Sequence, residues 1–488
     1  MKISMEIQTG ALVIVLAYMV GMMVLGYVVG KINIKGSDDY LVAGRRMGLF
    51  MVAFSLSANN VGGGCTTGLA AKAFGAWGIS AIWYVVAGSL AMIPLAYFAP
   101  KIRKTMAVTI PEVVNRRFGR FSGNFTAVLS VLSLFCLTSS QIAASGGVIH
   151  ALIPAIPLNV CLILAGLVTI FYTTFGGMIA DQVSDLIQFA IILVGLAIAT
   201  PIVLNKAGGW DAISAALPGD KLNMTQIGWA SIIGYFFNYF CTFLCGPEMV
   251  SRFETCKDEK TAVGASLLSG VLMAAMSIFP ALLGVAAFAL QDQLIPLGMD
   301  PSGSNAMMAI TGAYAPGVIT GVISAAIICA TMSSADSNLL CMSTMIINDL
   351  YPGFGGKKKF SDREIIKWTR ISNVISAVIA MLVSMLGISL VAMNTFAFGI
   401  RCAGPFAAYG LGLAVPKATK NSGTISIITG TVAFIVWQLL TNGGTLWFMM
   451  PVVFGSLVSV ITFFLVNLIE WKRGVPAAPS AYAVEEAK

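Results

Sequence analysis

The sequence predicts an all-α polytopic membrane protein with about thirteen transmembrane helices, and three observations carry that prediction. Of the 488 residues, 57% are apolar and only 10% are charged, against roughly 25% charged in an ordinary soluble domain. Long stretches, among them 47–71, 121–180 and 421–469, hold no Asp, Glu, Lys or Arg and reach or exceed the ~20 residues needed to cross a bilayer. The basic residues gather on alternate connections, as the positive-inside rule requires.

Cutting the apolar runs at Pro, Gly and charges places the helices in order. Ala11 to Gly30 lacks a strongly basic start and an Ala-x-Ala cleavage site, so it reads as the first crossing and not as a signal peptide. The second helix, Gly48 to Ala71, lies between Arg46 and Lys72, and the third, Trp77 to Phe98, stops at Pro100. The charge-free run Phe121 to Ala180 is too long for one crossing. Ile153-Pro154-Ala155-Ile156-Pro157 divides it into Phe125 to Leu152 and Leu158 to Phe175. Asp185 to Leu204, Ile227 to Cys245, Val263 to Leu290 and Gly317 to Leu350 follow as helices six to nine. Thr369 to Ile388, Val391 to Val415, Ile425 to Leu440 and Trp447 to Ile469 complete the set. Residues 1 to 474 therefore form one transmembrane domain, and the Ala- and Pro-rich tail 475 to 488 is expected to be disordered.

With the N-terminus outside, 24 of the 29 Lys and Arg lie in cytoplasmic connections, from Lys31 to Lys488 and including Arg252. Only Lys2, Lys72, Lys206 and Lys221 fall outside, with Arg401 inside the membrane, so the C-terminus is cytoplasmic and the site of action is the cell membrane. The net charge of +8 is thus a record of topology, and no nucleic-acid partner is implied. A single histidine, His150, excludes imidazole-based metal chemistry, and nine cysteines without a CxxC pair imply neither a disulfide scaffold nor a thiolate zinc site.

Function is sought where polar or helix-breaking residues sit at membrane depth, because unsatisfied groups there are costly. Ser57-Ala58-Asn59-Asn60-Val61-Gly62-Gly63-Gly64 occupies the centre of helix two, and its three glycines favour an unwound segment. In helix nine, Ser333, Asp336 and Ser337 share a face with Ala330 one turn earlier, an oxygen-rich set suited to sodium or a proton. Arg401 precedes Gly404-Pro405 and needs a carboxylate, from a substrate or from Asp336, Asp185 or Glu248, unless it snorkels to an interface. In helix seven, Phe237 and Asn238 stand in an aromatic run that closes with Gly246-Pro247-Glu248 and either wall a pocket or face lipid. Helices two and seven are five apart, and interruptions at corresponding places in two halves point to an inverted-repeat transporter site.

On these residues the chain resembles the sodium:solute symporter family of proline, sugar and sialic acid symporters. Ser37-Asp38-Asp39-Tyr40-Leu41-Val42-Ala43-Gly44-Arg45-Arg46, Ile110-Pro111-Glu112-Val113-Val114-Asn115-Arg116-Arg117-Phe118-Gly119, Thr174-Phe175-Gly176-Gly177-Met178, the Ser333-Ser334 pair and Asp349-Leu350-Tyr351 carry the likeness, which runs over almost the whole chain. It implies five helices plus five inverted ones in the leucine-transporter-type fold, with the core at about 47 to 415 and additional helices at 425 to 469. It also implies a sodium site of the Ser57, Asn60 and Ala330 carbonyls with the Ser333 and Ser334 hydroxyls. A second cation site at Asp185, Ser333, Asp336 and Ser337 is implied by some members. The substrate is placed between helices two, three, four, seven and eleven, at Val61, Gly62, Gly63 and Gly64. An organic anion or zwitterion suits the residues, its carboxylate held by Arg401 with Asn59 or Asn238. Sodium is then the coupling ion, and the expected working unit is a monomer in the lipid bilayer. The alternatives are a membrane-embedded solute sensor without transport and a proton-coupled or exchange carrier.

Overall fold

The computed structural model describes residues 5–152, 156–356, 358, 360–387, 390–446 and 449–482. The dividing residues Ile153-Pro154-Ala155, Lys357, Lys359 and the expected start of helix thirteen at Trp447 lie outside this set. Among the described residues the chain is helical, with only the isolated bridges Met47–Cys256 and Leu446–Met449 in extended pairing. Among these residues, nine helices are long and apolar enough to cross a bilayer, and Leu158–Phe171 and Trp229–Leu244 are shorter apolar ones. Helices two and eleven, both interrupted, are two further helical segments at the expected places.

Helix two follows the glycine signal. It runs Leu49–Asn60, opens at Val61 and Gly62, makes a 3-10 turn at Gly63–Cys65 and resumes as Thr67–Phe74. Helix seven is also interrupted, with Trp229–Leu244 and Pro247–Thr255 separated at Cys245 and Gly246. Helix eleven stops at Cys402, beside Arg401, and continues through a π turn at Ala407–Leu411. Helices five and six form one 49-residue helix, Leu158–Lys206, broken in direction at Gly177. There φ is 58° and ψ −170°, a region open essentially to glycine, and a Cβ would stand 2.7 Å from the Tyr40 ring.

Helix nine, Gly317–Met345, lies at the centre, packed on helices one, four and five–six; 82% of its apolar window is buried, against 22% for helix one. Helix eight, Glu259–Ala289, starts at the Asp258 cap, whose carboxylate accepts from Thr261 N at 2.7 Å, and packs along helices two and three.

Two expectations need correction. The tail is docked as far as Tyr482. Ala478 N donates to Ala418 O at 2.7 Å, Arg117 Nη1 to Pro479 O at 3.1 Å and Tyr482 Oη to Leu413 O at 2.8 Å. The Ala- and Pro-rich composition concealed one amide, one carbonyl and one phenol of the tail that find fixed partners. Residues 483–488 lie outside the described set. Arg252, counted above with the cytoplasmic connections, is fully buried, because the segment after Gly246 is a helix tucked into the protein and not an aqueous loop.

Gly177→Ala should destabilise the protein by about 1–3 kcal/mol through the forbidden backbone conformation alone. The check is the melting temperature of the purified variant in detergent, which should fall while Gly21→Ala, with open space around its Cβ position, leaves it unchanged.

Candidate functional site

The last regular turn of helix two closes with Val61 N donating to Ser57 O at 2.9 Å. Beyond it, the Thr66 hydroxyl donates to Gly62 O (3.3 Å), which also accepts from Cys65 N at 3.0 Å, and the Thr67 hydroxyl donates to Gly63 O (3.0 Å), so side-chain hydroxyls help to satisfy the carbonyls of the break. Helix nine supplies the rest. Ser333 Oγ donates to Ala58 O at 3.2 Å and Ser334 Oγ to Asn59 O at 3.0 Å, while each also lies 3.3 Å from Ala330 O. Ala330, Ser333 and Ser334 thus meet helix two at the carbonyls of Ala58 and Asn59, between the expected Ser57 and Asn60, whose own carbonyls accept from Val61 N and Cys65 Sγ; the result is an oxygen-lined seam between the broken helix and helix nine. Gly62 and Gly63 permit the approach: Cβ atoms there would meet Ser334 Oγ at 3.5 Å and Thr331 Cγ2 at 3.3 Å. The Ser57 hydroxyl points the other way, to Ser269 Oγ at 3.0 Å on helix eight.

The residues of the expected second site are divided. Asp185 and Ser337 do meet, but around Arg252. Its Nη2 lies 2.7 Å from Asp181 Oδ2 and 3.0 Å from Asp185 Oδ2, and it also reaches Ser337 Oγ. Ser55 Oγ donates to Asp185 at 2.5 Å and Ser337 Oγ to Asp181 at 3.0 Å. Asp336 stands apart: its Oδ1 accepts from Ser337 N at 2.8 Å, and among the described residues no ion pair joins it to Arg401 or Arg252.

Next to the serine seam lies a cavity of about 90 Å³. Helices two, three, four, seven and eleven all contribute to its wall, as expected, and helix nine joins them. Asn59, Gly62, Gly64 and Arg401 line it, while Val61 is packed away in the core. Phe237 and Asn238 do not line it. Phe237 is 46% exposed on the outer face of helix seven, because residues two apart on a helix point nearly opposite ways and Tyr239 takes the inner face. Tyr84, Gln141, Tyr239, Asn338 and Asn394 are lining residues that the sequence reading did not assign to substrate. For Gln141 and Asn394 a lone amide inside an apolar helix was the available signal.

Arg401 has found an internal partner. Nη1 and Nη2 each donate to one oxygen of Glu248 at 2.6 Å, a buried two-pronged pair with the guanidinium 5.1 Å from the Phe398 ring. Neither Asp185 nor Asp336 serves it.

A helical, multi-pass molecule with broken helices meeting at a central polar cavity is a secondary transporter and not an enzyme. The chain belongs to the sodium:solute symporter family, whose model matches residues 40–430. Among curated relatives, the osmoregulated proline transporter OpuE of Bacillus subtilis is 25% identical, over 96% of each chain, and a sodium/proline symporter of Staphylococcus aureus is 25% identical over 95% of this chain and 93% of that one. Among solved structures, a substrate-bound, outward-open Na+-coupled sialic acid symporter superposes with a TM-score of 0.81 at 21% identity, covering 96% of this chain and 99% of the other. Mhp1, a nucleobase-cation-symport-1 family transporter, superposes with a TM-score of 0.61 at 15% identity, covering 91% and 96%. The fold is therefore the leucine-transporter-type inverted repeat, and the protein is a symporter that moves a solute with sodium as its coupling ion.

Arg252→Gln should cost about 3–5 kcal/mol, because Asp181 and Asp185 are left buried beside each other without their cation. Combining it with Asp185→Asn should recover part of the loss. Thermal melts of the single and double variants in one detergent read this directly.

Proposed function

We propose that the protein carries a small carboxylate-bearing solute, an anion or a zwitterion, into the cell together with sodium by alternating access. Sodium sits among the carbonyls of Ser57, Asn60 and Ala330 and the hydroxyls of Ser333 and Ser334. The observation that carries this reading is the position of Ser334: it bonds to the unwound end of helix two and also lines the cavity that Asn59 and Asn60 share. An ion there ties helix two to helix nine and shapes the wall that meets the solute, so filling one site favours the other. In the present structure the serine protons point at carbonyls; a bound cation takes their place, and the hydroxyls turn their lone pairs toward it.

The protein works as a monomer in the cell membrane, with the N-terminus outside and the C-terminus inside. An inside-negative potential then drives entry, at about 2.3 kcal/mol per charge per 100 mV. The Asp185–Ser337 cluster already holds the positive charge of Arg252, so coupling rests on the serine seam. The relatives named as proline transporters make L-proline the first solute to try.

The test is uptake of radiolabelled solutes into proteoliposomes under an imposed inward sodium gradient, with potassium and proton gradients as controls. Accumulation that follows sodium supports the reading; binding without accumulation, or accumulation driven by protons alone, sinks it. Ser333→Ala and Ser334→Ala should each raise the sodium concentration for half-maximal uptake by roughly tenfold, the scale of one lost contact to a charged group. Gly63→Val should abolish uptake without preventing membrane insertion, since its side chain would press into Thr331 and fill the break.

A further inference from the structure

The cavity wall carries two full charges among the described residues, Arg401 and Glu248, and they face each other. The rest of its polar lining consists of amides, hydroxyls and the backbone of the glycine run. Both charges are within the membrane and nearly inaccessible to water, Arg401 at 1% and Glu248 at 6% exposure. Such a pair is not needed for stability, since apolar residues of similar volume commonly serve a buried position as well or better. Its place in the wall of the solute cavity points to use.

The far flank of the pair is closely packed: at Gly246 a Cβ would stand 3.0 Å from Glu248 Oε1, 3.0 Å from Thr242 O and 3.2 Å from Arg401 Nη2, so glycine is needed there to leave the pair undisturbed. Arg401 Nε has no hydrogen-bond partner among the described residues, so the guanidinium has a donor to spare. Lys72, on the outer half of helix two, does not compete for the same role: its ammonium lies 4.1 Å from the Trp77 ring and 5.0 Å from the Tyr84 ring, and it does not line the cavity.

A solute carboxylate that approaches Arg401 arrives beside the Glu248 carboxylate. Two carboxylates on one guanidinium repel each other, and the oxygen of Glu248 that loses its prong is left buried without a donor. A solute that brings its own ammonium group answers both problems at once. Its carboxylate takes donors of Arg401, its ammonium donates to the freed oxygen of Glu248, and the internal pair becomes a four-charge alternating ring.

We infer that the Arg401–Glu248 pair is a receptor for zwitterions, with Glu248 the specificity residue that receives the solute's ammonium group and excludes carboxylates that lack one. This rests on the symport reading above and narrows its substrate class to small amino or imino acids.

The experiment uses the full-length protein in proteoliposomes with an inward sodium gradient, and a panel of unlabelled competitors against whichever radiolabelled solute gives sodium-driven uptake, L-proline being tried first. The competitors are the parent zwitterion, its N-acetyl derivative (an anion) and its amide (a cation). The inference expects the zwitterion to compete at least roughly thirtyfold better than either derivative, the scale of a buried charge pair losing one partner. Glu248→Gln should weaken the zwitterion by a similar factor and bring the N-acetyl anion level with it, while sodium-induced thermal stabilisation persists. Glu248→Asp, which keeps the charge, should retain the preference for the zwitterion. Competition by the N-acetyl anion equal to that of the zwitterion in the unmodified protein overturns the inference while the symport reading stands, and this arm does not depend on any variant folding. Sodium-driven uptake confined to uncharged solutes such as sugars or nucleobases overturns it and the carboxylate part of the symport reading together. Unchanged zwitterion affinity in Glu248→Gln overturns the role of Glu248.

Discussion

A helix that unwinds at membrane depth exposes carbonyls that lipid cannot satisfy, and the structure is arranged around the answer to that constraint. Helix two unwinds after Asn60, and the Ser333 and Ser334 hydroxyls reach the carbonyls of Ala58 and Asn59 from helix nine. Helix nine must therefore pass through the centre, which is why so much of it is buried. The contact is also weak enough to exchange: a hydroxyl that bonds a carbonyl can turn to bind a cation with little loss. On the proposed reading, the stability of the seam and the binding of sodium draw on the same oxygens.

Charge follows the same economy of partners. Three buried arginines each serve two elements. Arg252 joins helix seven's inner extension to helix six through Asp181 and Asp185, Arg401 joins helix eleven to the Glu248 turn, and Arg117 joins the short helix Ile110–Phe118 before helix four to the end of helix eleven. Two of these links meet in Pro247–Thr255, the short helix after the break in helix seven. The residue that ends one link, Glu248, and the one that ends the other, Arg252, are also bonded directly, with Arg252 Nη1 donating to Glu248 O at 2.9 Å. The cavity wall and the Asp181–Asp185 cluster are thereby one helical turn apart.

Much of this was legible in the sequence, for physical reasons that differ from case to case. The break in helix two was visible because three glycines beside two asparagines have no place in a lipid-facing helix. The serine pair was visible because hydroxyls clustered on one face of an apolar helix need a purpose. Arg252 was not, since Glu248 to Lys260 is dense in charge and reads as a loop; the apolar Met249, Val250 and Phe253 between those charges were the overlooked sign that the segment is buried. Phe237 was misplaced because an aromatic run does not reveal which face turns inward; the cavity takes Tyr239, Thr242 and Phe243, spaced i, i+3 and i+4 on the face opposite Phe237. The partner of Arg401 stayed open because three carboxylates were candidates and only the fold brings one within reach.

The docked tail has a consequence for how the chain tolerates change in length. After helix thirteen ends, Val475 N returns to Glu470 O at 3.0 Å, and only a few residues later Ala478 is tied to Ala418. Both ends of that span are anchored. Pro479 just beyond it accepts from Arg117, the same side chain that covers the Val415 and Pro416 carbonyls at the close of helix eleven. Residues beyond the last crossing therefore act as a measured tether on a helix that carries Arg401 some fifteen positions earlier, and the connecting length is fixed by geometry at a place where loops are usually free to drift.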